Sequence, residues 1–438
     1  MTVPHADLAD RFASAIEGIN ISQKEPIAIG FSGGGDSLAL LILACGFFSP
    51  GRVQALIVDH ALRDGSVREA KKAAAMAEAL GAKALVLTST NPRAGHKHAR
   101  AMRYALLAKV CRQIGAHTVF LAHTQDDQEE TFIMRLASGS SRRGLACMPA
   151  YAPLPLWPDG NGLFVARPFL GTSRAALRTW LVDQKYDWIE DPSNLDLRYR
   201  RVRARNKLAS LRRAGLPLGR IAASVARFSQ NENEMRRAAR TKLSSILSLH
   251  PAGYAQLNRP EFNQCSEALR RIMLDAVLAA IAGRPDHPIQ LAVLGRLLGR
   301  LSGDAAPGFS AAGCQILCRE TDILICRDPG AVLGRAPEYL PQSLPVKKGQ
   351  MRNFDRRFEI QASEDGWVEA LGARAGGLDK KEYRVLMALP AMARPLIAVI
   401  RNEQGGLSSP VLGGAGHINF LGGEIIARKL APISLGTA

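Results

Sequence analysis

The stretch PIAIGFSGGGDS, Pro26 to Ser37, decides how this chain is read. A short apolar run rich in isoleucine breaks into Ser32 and three glycines, then Asp36 and Ser37, and continues as the apolar helical run LALLILACGFF. A strand that breaks into glycine and enters a helix places backbone N–H groups at a helix N-terminus, where anions are favoured. Gly33, Gly34 and Gly35 carry no Cβ, so a polyphosphate can approach the main chain closely. The competing explanation, a plain Gly/Ser turn, is disfavoured by the strand before the glycines and the helix start after them.

Working outward, the first part of the chain alternates strand and helix. VQALIV (53–58), a helical stretch from Asp64 to Leu80 stopped by Gly81, AKALVL (82–87), a helix from about His98 to Ile114 stopped by Gly115, and TVFLA (118–122) follow one another. That order predicts an α/β, doubly wound, Rossmann-like parallel sheet. Ligands of such sheets bind beyond the carboxyl ends of the strands. Three polar clusters fall there: Ser32 to Ser37, Asp59 with His60, and His123 to Glu130. Asp127 and Glu130, three apart, share one helix face. They suit an ammonium group or, with Asp36, a Mg²⁺ ion; the rival explanation is that acids in a first turn simply offset the helix dipole. His60 and His123 have two readings each, polarising a phosphate or satisfying a backbone carbonyl.

Composition narrows the partners. The chain has 438 residues, 47% of them hydrophobic, which is enough for more than one core and predicts two or three domains. Its 57 Lys and Arg against 39 Asp and Glu leave a formal charge of +18, which favours a polyanion through phosphate neutralisation. Nucleic acid is the leading candidate and an acidic membrane surface the rival. The longest apolar run, Leu38 to Phe48, is too short to cross a bilayer, and Asp7, Asp10 and Glu17 argue against a secretory signal; a cytoplasmic protein with no membrane partner is expected. Seven scattered cysteines without a CxxC pair argue against disulfides and structural zinc, and Cys314 and Cys318 read as small buried residues of a strand.

The loop also excludes chemistries. A nucleotide-hydrolase P-loop needs Lys and Ser/Thr after its last glycine, where this chain has Asp36 and Ser37, and GxGxxG is absent. The remaining pattern, SGGxDS, resembles the signature of the PP-loop ATP pyrophosphatases, which cleave ATP between the α and β phosphates. VDHALR (58–63), ARAMRY (99–104), LAHTQDDQEET (121–131), ARPFLGTSR (166–174) and WIEDPSNLDLRYRRVRAR (188–205) resemble successive blocks of the tRNA(Ile)-lysidine synthases over the first half of the chain.

The resemblance implies a two-step reaction on the wobble cytidine of an isoleucine tRNA with a CAU anticodon. ATP adenylates the C2 carbonyl oxygen, and the amine of free L-lysine displaces AMP, changing the codon read from AUG to AUA. It also implies roles. Ser32, Gly33, Gly34, Gly35 and Ser37 hold the pyrophosphate half of ATP, with Asp36 on Mg²⁺ or the reacting oxygen. Arg103 contacts the triphosphate, His60 borders it, and Asp127 and Glu130 receive lysine. Glu190, Asp191, Ser193 and Asn194 form a shaped loop near the nucleotide. Arg201, Arg203 and Arg205, in the run from Arg198, are the candidates for the tRNA backbone, although Val202 stands where the family more often has asparagine.

The resemblance implies domains at 1–210 for catalysis, a basic helical linker at 211–249, a tRNA-binding domain at 250–330, and a C-terminal domain at 331–438, α/β or β-rich, that engages the acceptor end, the alternative for the last being a small β-rich module without that role. FSAAGCQILCRE and DILICRD predict a hairpin, and RFEIQA, LIAVIRN and HINFLGG predict short strands. A homodimer is compatible with this organisation. Three rivals carry less: a PP-loop tRNA thiolase, which lacks its CxxC here; an amide-forming synthetase, which leaves the +18 charge unexplained; and a non-catalytic basic RNA-binding protein, which leaves Asp127 and Glu130 idle.

Overall fold

The computed structural model describes residues 5–432 except 20, 60–64, 89–95, 191–195, 199, 216–219, 304–307 and 335–342. Two compact units divide the chain between Glu234 and Met235.

The first unit runs α1 (His5–Ile16), β1 (Ile27–Gly30), α2 (Gly35–Phe48), β2 (Val53–Asp59), α3 (Ser66–Ala79), β3 (Lys83–Thr88), α4 (His96–Ile114), β4 (Thr118–Phe120), α5 (Gln125–Leu136), α6 (Arg142–Leu145), β5 (Tyr151–Pro153), β6 (Phe164–Ala166), α7 (Arg174–Asp183) and α8 (Arg200–Arg213). The sheet order is β3-β2-β1-β4-β6-β5, parallel except for β5. The period of two in β1 explains the layering. Ile27 and Ile29 enter one core with Leu38, Leu40 and Leu41 of α2, while Ala28 enters the other with Tyr104, Leu107 and Ala108 of α4. Each such Leu or Ile buried from water contributes on the order of 2 kcal/mol. The doubly wound parallel sheet expected from the sequence is present, and strand order reverses between β1 and β4, where ligands of such sheets lie.

The helical stretch expected from Leu211 is divided. The chain forms α8, turns at Gly215 with φ +78°, and resumes as α9 (Arg220–Ile246). Glycine at positive φ ends a helix cheaply because no Cβ meets the carbonyl.

The second unit continues with β7 (Leu247–His250), β8 (Tyr254–Asn258), α10 (Arg259–Asn263), α11 (Glu267–Ala282), α12 (Leu291–Ser302), β9 (Phe309–Ala311), β10 (Cys314–Cys318), β11 (Asp322–Arg327), β12 (Leu344–Val346), β13 (Met351–Phe354), β14 (Phe358–Gln361), β15 (Gly366–Ala370), α13 (Lys380–Ala388), β16 (Ala398–Asn402), β17 (Leu407–Ser408), β18 (His417–Phe420) and α14 (Gly422–Lys429). Its sheets are β7-β8-β11-β10-β9, β12-β15-β16-β17 and β13-β14-β18. The expected hairpin is β10 and β11, paired antiparallel, and the three expected short strands contain β14, β16 and β18. Tyr254, Leu324 and Cys326 share a core with Leu386, Ile397 and Val399, so the helical half and the β-rich half of this unit pack on each other.

All seven cysteines are free; Cys265 is half-buried and the other six are buried. Burial pushes the thiols of Cys111, Cys314 and Cys326 up to about 12. Among the described residues no helix is long and apolar enough to cross a membrane.

Candidate active site

Beyond the carboxyl ends of β1 and β4 lies a cavity of about 1040 Å³, lined by Ser32, Gly34, Gly35, Asp36 and Ser37 and by Arg103, His123, Arg174 and Arg205. The glycine loop that opens it is wired through its serines. Ser37 Oγ donates to the Gly34 carbonyl at 2.8 Å and lies 3.1 Å from Ser32 Oγ. Gly34 occupies the N-cap of α2 without any side-chain cap, leaving first-turn N–H groups free for an anion.

The glycines answer a second demand that the sequence did not reveal. Gly33 sits at φ +79°, and a Cβ there would come within 2.5 Å of Ile189 Cδ1. The Ile189 N–H donates to the Gly33 carbonyl at 2.9 Å. A Cβ on Gly35 would stand 3.4 Å from the Trp188 ring, so the loop admits the WIE stretch as well as a phosphate. Glu190 lines the cavity, as expected of the loop it begins; Asp191, Ser193 and Asn194 lie outside the described residues, as does His60.

The acids come from the first turns of α5, which Thr124 starts with a capping box: its hydroxyl accepts from the Asp127 N–H, and Asp127 Oδ2 accepts from the Thr124 N–H at 2.8 Å. This cap and a catalytic use of Asp127 are compatible, because the cap engages Oδ2 and leaves Oδ1 to other partners. Oδ1 meets Arg174 at 3.2 Å and Arg201 at 3.6 Å. Glu130, its side chain 1% exposed, meets Arg205 at 2.8 Å, Arg201 at 3.2 Å and Arg174 at 3.7 Å. Asp36 completes the set, accepting from Arg174 Nε at 3.0 Å.

Arg174 thus joins Asp36, Asp127 and Glu130. Burial pushes the Asp127 carboxyl up, but Arg201, the Thr124 N–H and Arg174 outweigh it and hold the group below the usual carboxylate range. Burial wins at Asp36, which is raised despite Arg174. Arg174 closes the block ARPFLGTSR, whose sequence alone points to no role for it. Its available signal was Ser173, which caps α7 and places Arg174 in the first turn, at the carboxyl edge of the sheet.

The three arginines expected on RNA separate by helix face. Arg201 and Arg205, four apart, turn inward to the acids with buried Val202, Ala204 and Leu208 beside them. Arg203 turns out, donating to the Leu197 and Arg198 carbonyls at 2.9 Å, on an exposed face with Arg200 and Lys207. Farther along, Arg212 pairs with buried Glu129. Among the described residues no three His, Cys, Asp or Glu side chains cluster as a metal cage.

A PP-loop domain family model matches residues 5–211. Over 396 residues the chain is 36% identical to a tRNA(Ile)-lysidine synthase of Caulobacter vibrioides, covering 88% of this chain and 86% of that protein. Enzymes of the same name from Hyphomonas neptunium and Ruegeria pomeroyi are 34% and 33% identical, covering 79% and 84% of this chain and 92% and 85% of theirs.

Proposed function

The chain belongs to the tRNA(Ile)-lysidine synthase family, and from that premise we propose that it joins free L-lysine to C2 of the wobble cytidine of a CAU-bearing isoleucine tRNA at the expense of ATP. The observation that carries this reading is Arg174, which lines the cavity with the SGGGDS loop and pairs with Asp36, Asp127 and Glu130. An anion site and a carboxylate site joined by one guanidinium are what a reaction between a polyphosphate, a carbonyl oxygen and an amine requires.

Ser32, Gly33, Gly34, Gly35 and Ser37 receive the phosphates through main-chain N–H and hydroxyl groups, and Arg103 adds a charge from α4. Mg²⁺ needs only one or two protein carboxylates when phosphates and water complete its shell, so the lone Asp36 fits it. When bound, the ion neutralises phosphate charge. The cytidine carbonyl is a poor leaving group; as an adenylate it is displaced readily. Asp127 and Glu130 then hold the lysine side that carries positive charge, in exchange for contacts now made by Arg174 and Arg201. The outer face of α8, with Arg200, Arg203 and Lys207, takes tRNA phosphates.

In this assignment residues 1–210 carry catalysis, 211–249 link, 250–330 bind tRNA and 331–438 engage its acceptor end, in the cytoplasm where ATP, lysine and tRNA coexist. The test is incubation with ATP, radiolabelled lysine and unmodified isoleucine tRNA bearing CAU. Label is expected in that tRNA and absent from methionine tRNA; no transfer under conditions where the tRNA binds would overturn the assignment.

A further inference from the structure

The stretch Trp188 to Glu190 does more than close over the glycine loop. Trp188 lines the cavity half-buried; the other rings there are Phe31, 3% exposed, and the small imidazole of His123. The indole is held on several sides. Nε1 donates to Glu190 Oε1 at 2.8 Å, Glu190 pairs with Arg178 at 3.3 Å, and the adjoining Ile189 N–H is tied to the Gly33 carbonyl at 2.9 Å. A Cβ on Gly35 would stand 3.4 Å from ring atoms Cγ and Cδ2 and 3.5 Å from Cε2, so the first turn of α2 lies against the ring.

The ring also stands on a particular side of the loop. Arg174 and Arg178, four apart on α7, share one helix face. Arg174 joins Asp36 to Asp127 and Glu130, and Arg178 follows one turn on, its guanidinium 5.7 Å from the Trp188 ring centroid. Trp188 is therefore on the α7 side of the glycine loop, the side of the acids, whereas Asp59, Ser66 and Glu69 line the cavity beyond β2. The cytidine carbonyl must reach the nucleotide first and the amine second, so its base belongs between the loop and the acids. Adenine is under no such constraint.

We propose that Trp188 is the stacking platform for the wobble cytidine, a role that rests on the lysidine-forming function proposed above. A nucleotide drawn out of an anticodon loop loses its stacking neighbours, and an aromatic face in the site replaces them. A ring anchored to the glycine loop holds the C2 oxygen in fixed register with the phosphates, which is how proximity lowers a barrier. The face also suits the charge that develops. As the C2 oxygen bonds to the α-phosphorus, the bond to the bridging oxygen breaks and its electron pair leaves with pyrophosphate, so the pyrimidine becomes cationic. Indole faces attract cations.

The test uses the full-length protein, ATP and unmodified CAU-bearing isoleucine tRNA, with pyrophosphate release as the readout of adenylation. Trp188→Leu keeps an apolar side chain and removes the flat face; Trp188→Phe keeps a face and loses the Nε1 bond. With tRNA below saturation, release is expected to fall about thirtyfold in Trp188→Leu and less than about threefold in Trp188→Phe, while ATP affinity, measured by calorimetry without tRNA, stays within about twofold in both. Unchanged release in Trp188→Leu would overturn the platform. So would equal losses in the two variants, because the hydrogen bond and not the face would then matter. An ATP affinity that falls as far as release gives the ring to adenine and overturns it as well. If Trp188→Leu does not fold, tryptophan emission decides: a CAU anticodon stem-loop is expected to quench the wild type more than Trp188→Phe, and equal quenching overturns the platform. Lysine transfer by the wild-type chain tests the function separately.

Discussion

On the α5–α8 side of the cavity, Asp127 and Glu130 each meet two or more guanidiniums, whereas on the α4–β6 side Arg103 and Arg167 meet no carboxylate among the described residues. Both sides are buried and both are rich in arginine. One is electrically closed, so its charges hold the unit together until a competing cation arrives. The other has no carboxylate among the described residues, and burial works against the charge of both of its arginines. The same side-chain type is thus held by carboxylates on one side and by none on the other.

The largest effect that sharpens this contrast falls at Asp36, which touches the closed side through Arg174 and faces the phosphate loop. Asp36→Ala should lower adenylate formation, read as pyrophosphate release, by about a thousandfold while leaving tRNA affinity within about twofold. Equal loss of tRNA binding would show that the two sides are not separable. Next comes Glu130→Gln, which leaves Arg201 and Arg205 facing a neutral group. Breaking a buried pair this way should cost about 3 kcal/mol in urea unfolding and raise the KM for lysine. Tyr104→Phe, on the α4–β6 side, should cost less than about 1 kcal/mol, because no well-formed hydrogen bond is lost. Equal costs for the two variants would break the comparison.

The pH dependence is a third handle. His123 is pushed down from 6.5 to about 3, by burial first and then by Arg167. Between those values the unfolded chain binds a proton that the folded chain refuses, so stability falls as pH falls; at pH 5 the loss is about 2 kcal/mol. Asp127, held below its ordinary range, adds loss in the same direction as pH falls through its folded value. His123→Asn should flatten the stability profile between pH 6.5 and 4, and a profile identical to wild type would place the acid sensitivity elsewhere. The smallest effect is expected outside the cavity. Arg203→Glu should weaken tRNA a few-fold and reduce the salt dependence by about one unit of log–log slope, with ATP affinity unchanged.

The sheet was legible because each strand is a short apolar run closed by a turn residue, and because β1 alternates Ile27, Ala28 and Ile29 between two cores. The glycine loop was legible for the same reason: its anion site lies within one contiguous segment. Arg174 was not, since its three acids stand between 44 and 138 residues away, and only strand order brings them together. The inward turn of Arg201 and Arg205 was available from their spacing of four, which separates them from Arg203; a run of basic residues read as one patch concealed it. The break between α8 and α9 was signalled by Gly215, but a basic helical composition on both sides hid it.

The burial of the cysteines has an experimental consequence. A thiolate is the reacting species, and thiols raised to about 11 or 12 by burial are nearly inert at neutral pH. In the native chain an alkylating reagent therefore meets one responsive position, Cys265. The six silent ones divide evenly, Cys45, Cys111 and Cys147 in the first unit and Cys314, Cys318 and Cys326 in the second. Timed alkylation followed by peptide mass mapping would thus record when each unit opens, and with what ligand it stays shut, in the unaltered protein.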